Sequence, residues 1–174
     1  FVYIWVDGVH FTIRLEADRL AALVVVGVRP DGTKEVLAIE DGYRESTESW
    51  LTVLRDLKRR GMGAPALAIG DGALGFWAAV REVWPEAREQ RCWVHRIANV
   101  LDKLPTRLQP QAKHALHEMM YADSRTSCEA AMQRFAQDYE AKYPKAVKAL
   151  FADVPRLLTH VDFPAAHWKH IRTT

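Results

Sequence analysis

A short apolar segment that ends in an aspartate between two glycines, Leu67 to Gly72, constrains the fold of this chain most. The apolar run is too short for a helix, and apolar residues at helical spacing follow it. This order predicts a strand, a turn and a helix, with Asp71 at the carboxyl end of the strand. Ligands of open α/β sheets bind at that end, and the glycines allow close approach. An alternative role for Asp71 is to cap the next helix.

A second apolar segment also leads into an aspartate. The run from Phe1 to Val6 precedes Asp7-Gly8, which predicts a buried strand meeting an acidic turn. A Pro-Asp-Gly turn then joins two further apolar segments into a predicted hairpin. A helix capped by Ser46 or Thr47 follows, and then the strand before Asp71, another helix and a short polar strand. The apolar face predicted for the first helix is Trp50, Val53, Leu54 and Leu57. The predicted hairpin strands and last strand are Leu20 to Val28, Lys34 to Ile39 and Ala87 to Cys92.

This order of elements predicts an α/β fold with a ribonuclease H-like mixed sheet. In that sheet the first strand lies beside the fourth, so Asp7 and Asp71 are expected to face each other. Two neighbouring carboxylates supply the oxygen ligands that Mg²⁺ prefers and leave positions open for phosphate and water. A pair of such ions about 3.5–4 Å apart can promote in-line phosphoryl transfer.

The second part of the chain has helical periodicity throughout. Apolar residues recur at helical spacing from Pro105 onward, which predicts an all-α bundle. We therefore expect residues 1–104 to form the sheet core and residues 105–174 a helical insertion. The net charge of +2 is too small to indicate a nucleic acid partner, so any basic surface must be local. Two cysteines and no bilayer-length apolar run favour a cytoplasmic protein without a membrane partner.

Several motifs, in one order along the chain, resemble those of mutator-type insertion-sequence transposases. They include Asp7-Gly8-Val9, the Ile69 to Trp77 segment, the Cys-x-x-His segment at Cys92 and His95, and the segment from His167 to Thr174. The resemblance covers essentially the whole chain. It implies a DNA transposase of bacterial insertion sequences that cleaves DNA strands at the element ends and transfers them to target DNA.

The resemblance also implies a catalytic triad of two aspartates and a glutamate. Asp7 matches the first acid and Asp71 the second, and both are expected to bind Mg²⁺, with Mn²⁺ able to substitute. The third acid is expected in an Asn-x-x-Glu segment just after Arg-Thr-Thr, beyond Thr174. We therefore expect a catalytic-domain fragment that is inactive alone. The implied partners are transposon-end and target DNA in the bacterial nucleoid, and a homodimer or higher oligomer assembled on DNA.

The Cys-x-x-His segment admits more than one role. Through the resemblance, Cys92, His95 and Arg96 are expected to shape the active site or to lie near DNA. Cys92 is equally compatible with a small core residue and His95 with a packing residue. Together with His114 and His117, the pair Cys92 and His95 has spacing that suits a zinc site, although the resemblance implies no structural zinc.

Basic and aromatic residues supply candidate DNA contacts. Around Trp168, cations can hold phosphates while the indole stacks on an unpaired base, although this segment can also be a strap that packs on the core. Lys142, Lys145 and Lys148 are expected to form a solvated face, with DNA contact as the alternative. The candidate contacts are Arg14, Arg44, Lys103, Trp168, Lys169, His170 and Arg172.

Two other functions fit the same predicted fold. A ribonuclease H-like nuclease or resolvase shares the acidic core, but the helical insertion and the Cys-x-x-His segment argue against it. A non-catalytic DNA-binding or dimerisation module could keep the fold without using it for chemistry. Metal dependence separates the classes, because a binding module does not need Asp7 or Asp71.

Overall fold

The computed structural model describes residues 1–12, 19–42, 46–72 and 74–174. These residues form two compact units, one of Phe1–Gln90 together with Thr174 and one of Arg91–Thr173. The first unit holds the sheet and two helices, and the second is helical. The boundary between these compact units lies between Gln90 and Arg91. The division into a catalytic core of residues 1–104 and a helical insertion of residues 105–174 stays a prediction.

A mixed sheet of five strands forms the first unit and has the order β3-β2-β1-β4-β5. The central strand β1 runs antiparallel to β2 and parallel to β4. This is the predicted ribonuclease H-like order, so the predicted fold class is confirmed. The strands are β1 Tyr3–Thr12, β2 Arg19–Val28, β3 Lys34–Gly42, β4 Leu67–Gly70 and β5 Arg88–Arg91.

Strand β1 is longer than the sequence predicts. We expected it to end at Val6 before an acidic turn, but it continues to Thr12, with Asp7 opposite Val24 and Gly8 opposite Leu23. Aspartate and glycine disfavour strands. Ten consecutive antiparallel pairs with β2 outweigh that preference here. Asp7 therefore lies within β1, whereas Asp71 follows the last residue of β4.

Two helices cover one face of the sheet. Helix α1, Thr47–Arg59, begins at the predicted cap Ser46, whose side chain accepts a hydrogen bond from the Ser49 backbone N–H at 3.1 Å. Helix α2 is Leu74–Val83. Both pack on Ile4 and Val6 of β1, and Trp50 meets the edge of Phe76 with 5.1 Å between ring centres. The buried α1 face is the predicted one: Trp50, Val53, Leu54 and Leu57.

The second unit consists of helices around their own apolar core. Residues of its helical apolar stripes, including Leu116, Met132 and Leu150, are buried, and Ser124 caps α5. Within the described ranges, no helix combines the length and apolar character that crossing a bilayer requires. The helices are α3 Trp93–Leu101, α4 Gln109–Met120, α5 Arg125–Tyr139, α6 Pro144–Phe151, α7 Val154–Leu157 and α8 Trp168–Ile171.

Candidate functional site

The parallel pairing of β1 and β4 aligns the two candidate acids. Trp5 is the last residue of β1 paired with β4, opposite Ile69, and the same register continued by two residues would make Asp7 level with Asp71. Adjacent strands lie about 4.8 Å apart. Strand β4 ends one residue before Asp71, while β1 continues past Asp7. The two carboxylates thus belong to neighbouring chain segments at the point where one strand stops.

The backbone at Asp71 is fixed by the helix that follows it. The buried indole of Trp77 donates a hydrogen bond from Nε1 to the Asp71 carbonyl oxygen at 2.9 Å. Gly70 is packed on its other side, because a Cβ there would lie 3.0 Å from Cγ2 of Val6 and 3.2 Å from the Phe76 ring. A larger residue at position 70 would therefore push against the buried support of Asp71.

The donor set at this point of the sheet suits a hard divalent cation. Asp7 is exposed and Asp71 is half-buried, so each carboxylate is open to solvent on at least part of its surface. Carboxylate oxygens are ligands for Mg²⁺, which keeps several waters and needs few protein ligands. Gly72 is exposed beside Asp71 and leaves room for an approaching phosphate. Among the described residues, no group of three or more His, Cys, Asp and Glu side chains could hold a metal.

Cys92 links the start of α3 to the end of the chain. Its thiol is 2 % exposed, and Sγ lies 3.2 Å from Oγ1 of Thr173. The neighbouring Trp93 N–H donates to the Arg172 carbonyl oxygen at 2.9 Å. The buried thiol therefore acts within the helical unit as a partner of the Arg-Thr segment, a role that the sequence alone did not indicate.

Arg96 is buried among backbone carbonyls. Its Nη1 donates to the Ala149 carbonyl oxygen at 2.7 Å and to that of Ala152, and a third acceptor, the Leu150 carbonyl oxygen, is 3.4 Å away. These groups are at the C-terminal end of α6, where helix carbonyls lack intrahelical partners. Burial lowers the pKa of Arg96, and the positive charge of Arg91 lowers it further. The guanidinium thus caps α6 from α3.

The zinc spacing seen in the sequence does not correspond to a cluster. His95 is half-buried on α3, whereas His114 on α4 is exposed and lies 3.5 Å from Glu118, measured from Nε2 to Oε1. His117 meets the Tyr121 ring edge-on. In the part of the chain that the structure describes, Cys92 and these three histidines do not come together as a metal-binding group.

The C-terminal segment is tied to its own unit. Trp168 is half-buried and donates from Nε1 to the Phe163 carbonyl oxygen at 2.8 Å. Arg172 donates to the Met120 carbonyl oxygen at 3.0 Å, and its guanidinium lies 4.3 Å from the centre of the Tyr121 ring. Burial lowers the pKa of Arg172. These contacts hold the segment within the helical unit, and the DNA-contact role of Trp168 and Arg172 stays a prediction.

The other candidate DNA contacts fall into two groups. Lys169 and His170 are exposed, as is Lys103, whose Nζ lies 2.8 Å from Oδ2 of Asp102. Arg14 and Arg44 lie outside the described residues. Lys103, Lys169 and His170 are accessible to a phosphate, and their role as DNA contacts stays a prediction.

Two side-chain contacts were not predicted from the sequence: that of Trp77 with the Asp71 backbone and that of Thr173 with Cys92. Trp77 follows Asp71 by six residues, and its place on the apolar face of α2 indicated packing but not the hydrogen bond to the Asp71 backbone. Thr173 is 81 residues from Cys92, and no local pattern connects them. A search for buried indoles and hydroxyls close to each motif would have found the first residue but not the second.

One protein-family model matches the whole chain. Residues 1–174 match the model of the family described as "Transposase, Mutator family". The chain is 55 % identical over 174 residues to the transposase for insertion sequence element IS6120 of Mycolicibacterium smegmatis, covering all of this chain and 54 % of that protein. It is 53 % identical over 160 residues to the transposase for element IST2 of Acidithiobacillus ferrooxidans, covering 91 % of this chain and 54 % of that protein. The chain thus spans about half the length of these relatives.

A comparison of structures finds a distant neighbour. The HTLV-2 integrase catalytic core domain in complex with magnesium is 15 % identical, with a TM-score of 0.37. The match covers 68 % of this chain and 83 % of that domain.

Proposed function

The chain belongs to the Mutator family of transposases, and from this premise we propose that it carries two metal-binding acids of an enzyme that cleaves and joins DNA strands at insertion-sequence ends. The observation that supports the proposal is the parallel pairing of β1 with β4, because this register, continued by two residues, would make Asp7 level with Asp71. The partners in this proposal are transposon-end DNA and target DNA, with two or more protein copies assembled on them.

Asp7 and Asp71 are the residues that would hold Mg²⁺ or Mn²⁺. When bound there, the metal supplies positive charge that activates the attacking oxygen and stabilises the leaving oxygen of an in-line phosphoryl transfer. The hydrogen bond from Trp77 restrains the Asp71 backbone, which supports a metal-binding role for this residue. Exposed arginine and lysine side chains position phosphates and do not select bases.

Strand cleavage and joining test this proposal. The reaction is run on DNA that bears the element's ends, with Mg²⁺ or with EDTA, using the chain extended through the acid that the resemblance expects after Thr174. Asp71→Asn should reduce both reactions to the EDTA background. Asp41→Asn removes an exposed carboxylate from β3 of the same sheet and should leave them unchanged. Equal DNA binding without cleavage by wild-type protein and Asp71→Asn, where a related transposase cleaves, would support the non-catalytic binding module.

Metal binding can be measured separately from catalysis. Paramagnetic Mn²⁺ broadens the amide signals of residues near its site, even when binding is weak. Titration into this chain should first broaden signals next to Asp7 and Asp71, and the effect should be lost in Asp71→Asn but kept in Asp41→Asn. Broadening centred elsewhere would contradict the assignment of these two ligands.

A further inference from the structure

The small net charge of the chain conceals a strong difference between its two units. The helical unit, Arg91–Thr173, contains 13 Lys and Arg against 8 Asp and Glu, a net charge of +5. The remaining residues contain 11 against 14, a net charge of −3. A polyanion is therefore attracted to the helical unit and repelled, in the absence of cations, by the unit that carries Asp7 and Asp71.

A groove of about 360 Å³ on the helical unit concentrates part of this charge. Arg107, just before α4, and Lys142, just after α5, both line it and are both exposed. Gln111 and Tyr143 add polar groups to its walls. Asp138 also lines the groove, yet neither cation forms an ion pair with it or with any other described acid.

Two more exposed cations lie on α6, which begins two residues after Lys142. Lys145 and Lys148 are exposed, whereas Ala146 and Leu150 of the same helix are buried, so this helix turns its lysines to solvent. Neither lysine pairs with an acid among the described residues. Like charges three residues apart on a helix repel each other by a few tenths of a kcal/mol. A bound row of phosphates would remove that repulsion.

We infer that Arg107, Lys142, Lys145 and Lys148 form a binding surface for the phosphate backbone of duplex DNA. An arginine fork and flexible lysine ammonium groups are suited to phosphate oxygens. Exposed cations and polar groups at the groove suit the regularly spaced charges of a nucleic-acid backbone. The choice of DNA as the polyanion rests on the proposed function, whereas the location of the surface rests on the charges and the groove.

The salt dependence of DNA binding gives a quantitative test with this chain. Fluorescence anisotropy measures the affinity for a duplex without transposon ends, in EDTA, between 50 and 200 mM salt. Each lost phosphate contact should reduce the slope of log affinity against log salt by about 0.9, which corresponds to roughly eightfold weaker binding at 0.1 M salt. Lys142→Gln should show about one such loss, and Arg107→Gln with Lys142→Gln about two.

Lys113→Gln is the matched control. Lys113 lies on α4 of the same unit, is exposed and forms no ion pair with a described acid, but it does not line the groove. This variant should retain the wild-type slope. Equal losses from Lys113→Gln and Lys142→Gln would show an effect of net charge alone and overturn the inference. Tighter binding of a poly-glutamate peptide than of duplex DNA, sensitive to Lys142→Gln, would also overturn it in favour of an acidic protein partner.

This test is independent of the cleavage chemistry. The binding measurement contains no divalent metal, so it proceeds without strand cleavage. If cleavage fails while the Arg107 and Lys142 effects are observed, the proposed reaction is wrong and the surface is retained. If cleavage is observed but the Arg107 and Lys142 effects are not, the proposed binding surface is wrong and the proposed reaction is retained. The far-ultraviolet circular dichroism melt of each variant should match wild type, since all these side chains are exposed.

Discussion

Replacing Arg96 by methionine distinguishes an arginine that holds the helical unit together from one that meets DNA. Methionine keeps the length and apolar character of the arginine stem but removes the guanidinium. The change leaves the Ala149 and Ala152 carbonyl oxygens without their donor, and both belong to the end of α6. Arg96 is only 7 % exposed, so water cannot easily replace it.

The expected loss follows from the number and kind of these hydrogen bonds. A hydrogen bond to a charged group contributes about 1.5–3 kcal/mol, so two well-formed bonds contribute about 3–6 kcal/mol. Relief of the buried positive charge, whose pKa burial lowers, offsets part of this. We expect Arg96→Met to lower the free energy of unfolding of the helical unit by about 2–4 kcal/mol. Arg96→Lys should lose less, because it retains the charge but not the planar fork.

Urea unfolding followed by circular dichroism at 222 nm measures this loss. Arg107→Met is the matched control, since Arg107 is exposed and pairs with no described acid, and it should change stability by less than about 0.5 kcal/mol. Hydrogen exchange at the α6 amides would locate the effect. Wild-type stability in Arg96→Met combined with weaker DNA binding would refute the capping role and favour the DNA-proximal role expected from the sequence.

Two further predictions concern a buried histidine and a buried glycine. Burial lowers the pKa of His160 to about 4, so between that value and about 6.5 the unfolded chain binds more protons than the folded one. The stability that His160 contributes above pH 6.5 should therefore be lost as the pH falls towards 4, by up to about 3 kcal/mol, and unfolding midpoints should vary less with pH in His160→Gln. An equally steep pH dependence in that variant would exclude His160 as the cause. Gly70→Ala should cost about 1–3 kcal/mol in thermal unfolding because its Cβ would crowd Val6 and Phe76, whereas Gly63→Ala meets nothing within 4 Å and should be neutral or slightly stabilising. Equal effects of the two alanines would show that the packing at Gly70 is not tight.

Patterns of neighbouring residues predicted the helices and strands that depend mainly on neighbouring residues. The apolar spacing around Trp50 and the serine before it predicted α1 and its cap, and the alternation of apolar runs and turns predicted the strand order. The end of β1 could not be predicted in this way. Asp7 and Gly8 signal a turn by composition, and only their pairing with Val24 and Leu23 keeps them in the strand.

The parts of the site that sequence reasoning could not supply depend on distant partners. Arg96 occupies a position in α3 that periodicity cannot distinguish from a surface arginine, because its carbonyl partners lie more than fifty residues away. Arg172 is a residue type that often contacts DNA. Its guanidinium lies over the Tyr121 ring and donates a hydrogen bond to the Met120 carbonyl oxygen. Residue types indicated the chemistry available, but packing decided which side chains remain accessible for it.

The bonds that join Trp93 to Arg172 and Cys92 to Thr173 give the helical unit the form of an excursion that returns to its starting point. A segment whose two ends are neighbours can grow or shrink without changing the separation of the residues on either side of it. Insertions or deletions within the helices of this unit should therefore leave its two ends together.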